Sequence, residues 1–173
     1  MIIVLMGYMG SGKSIIGREL ASVFGYEFID LDDFIISNEG MSVNKIFDSK
    51  GEIYFRKKEA QYLKEILEER TKIILSLGGG TPCYGKNLDL VLNNKNIESF
   101  YLKTTIPELL KRLRSEKNNR PIISHLDKDE ELIEFFGKHL FERSPFYSKS
   151  DYTVSTDNRS TSAIVEEIVL KLI

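Results

Sequence analysis

Short, continuous apolar runs alternate along the chain with longer stretches in which apolar residues recur every three or four positions. Ile2 to Met6 and Ile73 to Leu77 are of the first kind, as expected of strands buried on both faces of a sheet. Tyr26 to Asp30, Ile97 to Leu102 and Tyr152 to Ser155 read as three more strands. Helical spacing fills the intervals. Ser14 to Phe24 carries Ile15, Ile16, Leu20, Val23 and Phe24 on one stripe, and Glu52 to Arg70 carries Phe55, Tyr62, Leu63, Ile66 and Leu67. Shorter helices are expected over Asp32 to Glu39 with Gly40 as a stop, from a Ser42 cap to Ser49, and over Leu88 to Leu92. Another starts at a Thr105 cap, has Pro107 in its first turn and reaches about Leu113. Helices from about Lys128 to Arg143 and from Thr161 to Ile173 complete the series. This alternation predicts a three-layer α/β/α fold around a mostly parallel, five-stranded sheet.

Arg114 to His125 breaks the alternation. It is polar and reads as an exposed, flexible lid, about 114–126, inserted into a single domain spanning 1–173. The length of 173 residues fits one domain, and the net charge of −2 argues against a general nucleic-acid binder. Cys83 is the only cysteine, which excludes an intramolecular disulfide and suits a reducing compartment. The first apolar run is too short for a signal peptide or a membrane span, so a cytoplasmic location and no membrane partner are expected.

Residues 7 to 14 read Gly-Tyr-Met-Gly-Ser-Gly-Lys-Ser, matching the phosphate-loop spacing G-x-x-x-x-G-K-S/T between a strand and a helix. Glycines let successive N–H groups converge on phosphate oxygens, and the following helix adds its positive end. Lys13 supplies a mobile cation, and the Ser14 hydroxyl is a Mg²⁺ ligand candidate. A glycine-rich turn without a ligand would need neither residue.

Four further features point towards a small-molecule kinase. Asp30-Leu31-Asp32-Asp33 stands at the carboxyl end of the second strand, where ligands collect in parallel sheets. On an extended stretch Asp30 and Asp32 share a face, so one carboxylate can serve the Mg²⁺ shell while the other accepts a hydroxyl proton. The alternative is a helix N-cap, a reading that weighs more for Asp33 than for Asp32. Arg56 and Glu59 share a helix face at i, i+3, although a charged face is usually only solvated. Gly78-Gly79-Gly80 leaves the third strand and permits close backbone approach. Arg112, Arg120, Arg143 and Arg159 are spread through the second half, with Arg120 in the lid. Cys83 reads as an inert small residue, and His125 and His139 as surface or packing residues.

Taken in order, Gly7 to Ser14, Asp30-x-Asp32, Phe55-Arg56-x-x-Glu59, Gly78 to Gly80, Arg120-Pro121, Arg143-x-x-x-Tyr147 and Ser155 to Arg159 make the chain resemble the shikimate kinases over nearly its whole length. The resemblance implies a P-loop kinase fold, a monomer, and ATP-dependent phosphorylation of the shikimate 3-hydroxyl in aromatic amino-acid biosynthesis. It implies that Gly10, Ser11, Gly12, Lys13, Ser14 and Ile15 hold ATP, with Ser14 and Asp30 serving Mg²⁺. Asp32 would orient or deprotonate the hydroxyl, and Arg120 would arrive with the lid. Arg112 and Arg159 would flank the adenine. Arg56 and Arg143 would pair with the substrate carboxylate, helped by Gly78, Gly79 and Gly80, while Glu59 braces Arg56. The alternatives are another metabolite kinase of the same fold, such as a gluconate or nucleoside monophosphate kinase, and a nucleotide-binding regulatory module without catalysis.

Overall fold

The structure, a computed structural model, describes the backbone of residues 1–173 and every side chain except that of Asn119. Its strands are β1 (Ile2–Met6), β2 (Glu27–Asp30), β3 (Ile73–Ser76), β4 (Ile97–Lys103) and β5 (Tyr152–Ser155). They lie in the order β2-β3-β1-β4-β5, all parallel. The helices are α1 (Lys13–Phe24), α2 (Leu31–Glu39), α3 (Val43–Lys50), α4 (Glu52–Glu69), α5 (Asn87–Leu92), α6 (Ile106–Arg114), α7 (Asp129–Tyr147) and α8 (Thr161–Leu172). Short 3₁₀ turns occupy Thr81–Cys83 and Lys117–Asn119.

Alternation along β1 divides the core in two. Ile2, Val4 and Met6 face a cluster with Ile35, Leu63, Ile66, Leu88, Leu109 and Phe136, from α2, α4, α5, α6 and α7. Ile3 and Leu5 face the other way, onto Ile16, Leu20, Ile164, Val165 and Ile168 of α1 and α8. A central strand buried on both faces needs an apolar residue at every position, which β1 has. Among the described residues no helix is long and apolar enough to cross a membrane.

Three details depart from the sequence reading. In α1 the buried ridge is Ile16, Gly17, Leu20 and Ala21, whereas Ile15 and Val23 are 66% and 57% exposed. Small residues let the helix approach the sheet: a Cβ on Gly17 would stand 2.3 Å from the Phe28 ring. An apolar stripe read from large side chains alone therefore takes in the exposed Ile15 and Val23 and misses the buried Gly17 and Ala21. Second, α7 runs on past Arg143 to Tyr147, through Pro145. Proline there forfeits only the bond to the Phe141 carbonyl, and Phe141 lies on the solvent side, 85% exposed. The extension buries Tyr147 completely. Third, the lid is not wholly exposed. Ile123 is fully buried in the core, and Lys117 Nζ ties the segment's ends by donating to the Leu126 carbonyl and pairing with Asp127.

The two helices that carry Asp32 and Arg56 are joined at a distance from both. Glu39, at the end of α2, accepts hydrogen bonds of 2.6 Å from both Tyr54 and Tyr62 of α4, with Lys58 and Lys50 at 3.6 and 3.8 Å. The tyrosines hold the Glu39 carboxyl below its usual pKa, and Glu39 pushes Tyr62 up to about 12. A carboxylate with a depressed folded pKa stabilises above its unfolded pKa, and that contribution is lost as pH falls through the folded value. Glu39→Gln should therefore cost about 1–3 kcal/mol in urea unfolding at pH 7. The deficit should shrink as the pH of the measurement is lowered below about 4. A variant with wild-type stability would show that the clamp contributes nothing.

Candidate active site

Between β1 and α1 the phosphate loop turns on glycines in left-handed backbone, with φ of 80° at Gly10 and 92° at Gly12. Leu113 packs so close to Gly10 that a Cβ there would lie 2.9 Å from it. Lys13 Nζ lies across the loop and donates to the carbonyls of Gly7 and Tyr8 at 2.8 and 3.1 Å. Burial lowers its pKa to about 8 against the opposing pull of Asp30 and Asp32. The loop opens onto a cavity of about 970 Å³ lined by Gly10, Ser11, Gly12, Lys13, Ser14 and Ile15 together with Arg112, Arg120 and Arg159. All nine residues expected to hold ATP thus converge on one space. Ser11 contributes chiefly backbone, since the residue is 1% exposed and its hydroxyl is buried.

The arginines are held differently. Arg112 binds backbone, donating from Nη1 to Gly10 O at 3.0 Å and from Nη2 to Thr156 O at 2.7 Å, with Glu108 on Nε. Arg159 is folded onto α8, donating to the Ser155 and Ala163 carbonyls and pairing with Glu167. Arg120 is paired with Glu116 of its own segment at 2.8 Å.

Asp30 and Asp32 come together for a different reason from the one the sequence suggested. The strand ends at Asp30 and a helix begins at Leu31, so the two are not alternate residues on an extended stretch. Asp30 is the N-cap of α2, its Oδ1 accepting from the N–H groups of Asp32 and Asp33 at 3.0 and 3.4 Å. Its other oxygen accepts from Ser14 Oγ at 3.1 Å, joining the two expected Mg²⁺ ligands. Asp32 and Asp33 lie in the first helical turn, and neither is the cap.

A second cavity, of about 550 Å³, is walled by Val43, Phe47, Phe55, Arg56, Gly80 and Ile122, among others. Arg56 is fixed from several sides. Nη1 donates to Glu59 Oε1 at 2.7 Å, and Thr81 Oγ1 donates to the other Glu59 oxygen at 2.7 Å. The Tyr84 ring stacks 3.8 Å from the guanidinium. Each glycine of the triplet makes room for one charged group. A Cβ on Gly78 would stand 3.0 Å from Asp32 Oδ1, on Gly79 3.3 Å from Arg143 Nη1, and on Gly80 2.9 Å from Arg56 Nη2. Arg143 is not part of either cavity wall and stands against Gly79.

The two cavities share Asp32, Gly78 and Gly79. Asp32 therefore sits where a group bound on one side can meet a group bound on the other. Burial, then the charges of Asp30 and Glu59, raise its pKa to about 6, against the pull of Lys13 and Arg56. A carboxylate so placed is ionised at neutral pH yet a better proton acceptor than a free aspartate.

The family model for shikimate kinase matches residues 9–173. A shikimate kinase of Flavobacterium psychrophilum is 45% identical over 166 residues, 96% of this chain and 95% of that protein. The chain belongs to the shikimate kinase family. The crystal structure of the shikimate kinase of Bacteroides thetaiotaomicron superposes with a TM-score of 0.90 at 32% identity, over 99% of this chain and 97% of that one. The structure of the shikimate kinase from Acinetobacter baumannii in complex with shikimate gives a TM-score of 0.85 at 30% identity, over 99% of this chain and 92% of that one. A shikimate kinase needs a phosphate-donor site next to an acceptor site, and the two cavities here adjoin at Asp32, Gly78 and Gly79.

Several residues around Arg56 and the second cavity carried no readable signal in the sequence. Thr81 follows the glycines as an ordinary turn residue, and only the fold brings it to Glu59. Tyr84 reaches Arg56 through a turn, while Val43 and Phe47 belong to a short helix whose apolar pair looks like core. The raised pKa of Asp32 has a consequence for stability. The ionised form is disfavoured in the folded state, so the contribution of Asp32 to stability falls as pH rises from about 4 to about 6. Asp32→Asn should be more stable than wild type by about 1–3 kcal/mol at pH 7 and equally stable below about pH 4. Denaturant unfolding across that range checks this, and a variant less stable at pH 7 would contradict it.

Proposed function

We propose that the chain transfers the γ-phosphoryl group of ATP to the 3-hydroxyl of shikimate, with ATP in the larger cavity and shikimate in the smaller. The family assignment supports the reaction, and the meeting of the two cavities at Asp32 carries the assignment of parts. The acceptor oxygen attacks phosphorus, the bond from phosphorus to the ADP oxygen breaks, and the hydroxyl proton passes to Asp32. A pKa near 6 suits that role. Lys13 leaves the loop carbonyls to meet the outer phosphates. Arg120, on the lid, can exchange Glu116 for the transferring group as the segment closes. Arg112 is already committed to backbone and shapes the nucleotide end, with Arg159 beside it.

A hydroxyl and a carboxylate 3.1 Å apart suit Mg²⁺, which prefers hard oxygen ligands and keeps phosphates and waters for its remaining positions. Ser14 and Asp30 would hold it. Among the described residues no group of three His, Cys, Asp or Glu side chains is placed to hold a metal ion. When bound, Mg²⁺ neutralises charge on the phosphates.

Arg56 selects the acceptor. A planar guanidinium held by Glu59 and stacked by Tyr84 is oriented for the two oxygens of a carboxylate, which a neutral sugar or a nucleoside lacks. Release of ADP from ATP should depend on shikimate and be far weaker with a neutral sugar or a nucleoside monophosphate, neither of which carries a carboxylate. Rates with shikimate no faster than background hydrolysis would remove the proposal. In the same assay Arg56→Ala should raise the Michaelis constant for shikimate by about two orders of magnitude, a loss of about 2–3 kcal/mol. An unchanged Michaelis constant would exclude Arg56 from carboxylate recognition.

A further inference from the structure

His139, Arg143 and Tyr147 follow one another at four-residue spacing on α7 and share one face. His139 Nδ1 lies 2.9 Å from the Tyr8 hydroxyl. The Arg143 guanidinium stands 5.8 Å from the Tyr8 ring and against Gly79. The Tyr147 hydroxyl donates to the Gly79 carbonyl. Tyr8 is itself part of the phosphate loop, 2% exposed, and its carbonyl accepts from Lys13. Arg143 is thus bracketed, tied to the phosphate loop one turn before and to the glycine triplet one turn after.

The surroundings of the first tie are apolar. The Tyr8 ring meets Phe136 edge-on at 5.9 Å, and the His139 ring lies 4.3 Å from that of Phe135. A leucine at 139 could fill this space, so packing alone does not call for a ring nitrogen. Phenylalanine at position 8 would likewise pack on Phe136, so packing does not call for the hydroxyl either. Each polar atom is explained by the other. Burial and the nearby Arg143 lower the pKa of His139, which favours the neutral ring with Nδ1 as acceptor and the Tyr8 hydroxyl as donor.

We propose that Tyr8 and His139 are a positioning pair that sets where Arg143 stands, so that the phosphate loop and the acceptor-binding arginine are held in one register. The proposal rests on the reading of Arg143 as a group that helps hold the shikimate carboxylate. Neither member of the pair touches a substrate in it.

The test is steady-state kinetics with shikimate varied at saturating ATP, in Tyr8→Phe, His139→Leu, their double variant, His139→Asn and Arg143→Gln. Arg143→Gln should raise the shikimate Michaelis constant by about tenfold or more, as for a lost charge-assisted hydrogen bond. Tyr8→Phe and His139→Leu should each raise it roughly 3- to 10-fold with a smaller change in kcat, and the double variant should be no worse than either alone. His139→Asn, whose side-chain oxygen can take the place of Nδ1, should recover most of the loss. Unchanged constants in Tyr8→Phe while Arg143→Gln is impaired would overturn the pair and leave the arginine's role intact. An Asn variant no better than Leu, or a lowered melting temperature with no kinetic effect, would reduce the pair to packing and overturn it. Wild-type kinetics in Arg143→Gln would remove both the role and the pair.

Discussion

Glu59 is 1% exposed, and an ionised carboxylate taken that far from water must be paired and hydrogen-bonded or give up its charge. Here both oxygens are answered, one by Arg56 and one by Thr81. Much of the arrangement around Arg56 follows from that requirement. The first turns of α4 must present Arg56 and Glu59 on one face, and the chain leaving β3 must bring Thr81 to the second oxygen. The glycine at 80 must lack a side chain, because the guanidinium occupies the space a Cβ would take. Removing Glu59 would leave a cation with freedom to turn, and removing Arg56 would leave a buried anion. The pair is therefore a means of fixing orientation more than a source of net stability.

The donor side obeys a different constraint, that of backbone amides and a helix end aimed at phosphate. What joins the sides is the edge of the parallel sheet. β1 ends in the phosphate loop, β2 in Asp30 and β3 in the glycine triplet, three neighbouring strands in the order β2-β3-β1. Their carboxyl ends deliver the phosphate cradle, the carboxylates and the acceptor loop side by side. Asp32 gains its raised pKa from that crowding, since burial is reinforced by Asp30 and Glu59. A buried carboxylate with a raised pKa at the junction of the two cavities is a consequence of where the strands end.

Much of this was legible in the amino-acid order. Five strands and the alternating helices follow from hydrophobic period, and the ordered motifs identified the family. Three kinds of information were not. A helix whose buried ridge includes glycine and alanine, as in α1, misleads a reading based on bulky side chains alone. A proline within a helix looks like a stop, yet at Pro145 its one missing hydrogen bond falls on the solvent side, and the extra turn delivers Tyr147 to Gly79. The third is convergence of residues far apart in the chain. Thr81 with Glu59, Tyr84 with Arg56, and Tyr8 with His139 have no local signature. Asp30 and Asp32 were found for a reason that does not hold: they are neighbours because one caps the helix that carries the other. Arg143 was expected beside the substrate, and it stands against Gly79, a residue that both cavities share.

The central claim is that the acceptor half of the site, organised around Arg56, identifies its substrate by a carboxylate while the phosphate loop treats the donor alike. Comparing shikimate with its methyl ester as acceptors, at saturating ATP, tests this most directly. The ester keeps the ring and all three hydroxyls but removes the negative charge. The account predicts that the Michaelis constant rises by about two orders of magnitude, as for loss of a charge-assisted hydrogen-bond pair, while the Michaelis constant for ATP stays near that of the acid. An ester turned over with the same Michaelis constant as the acid would contradict it.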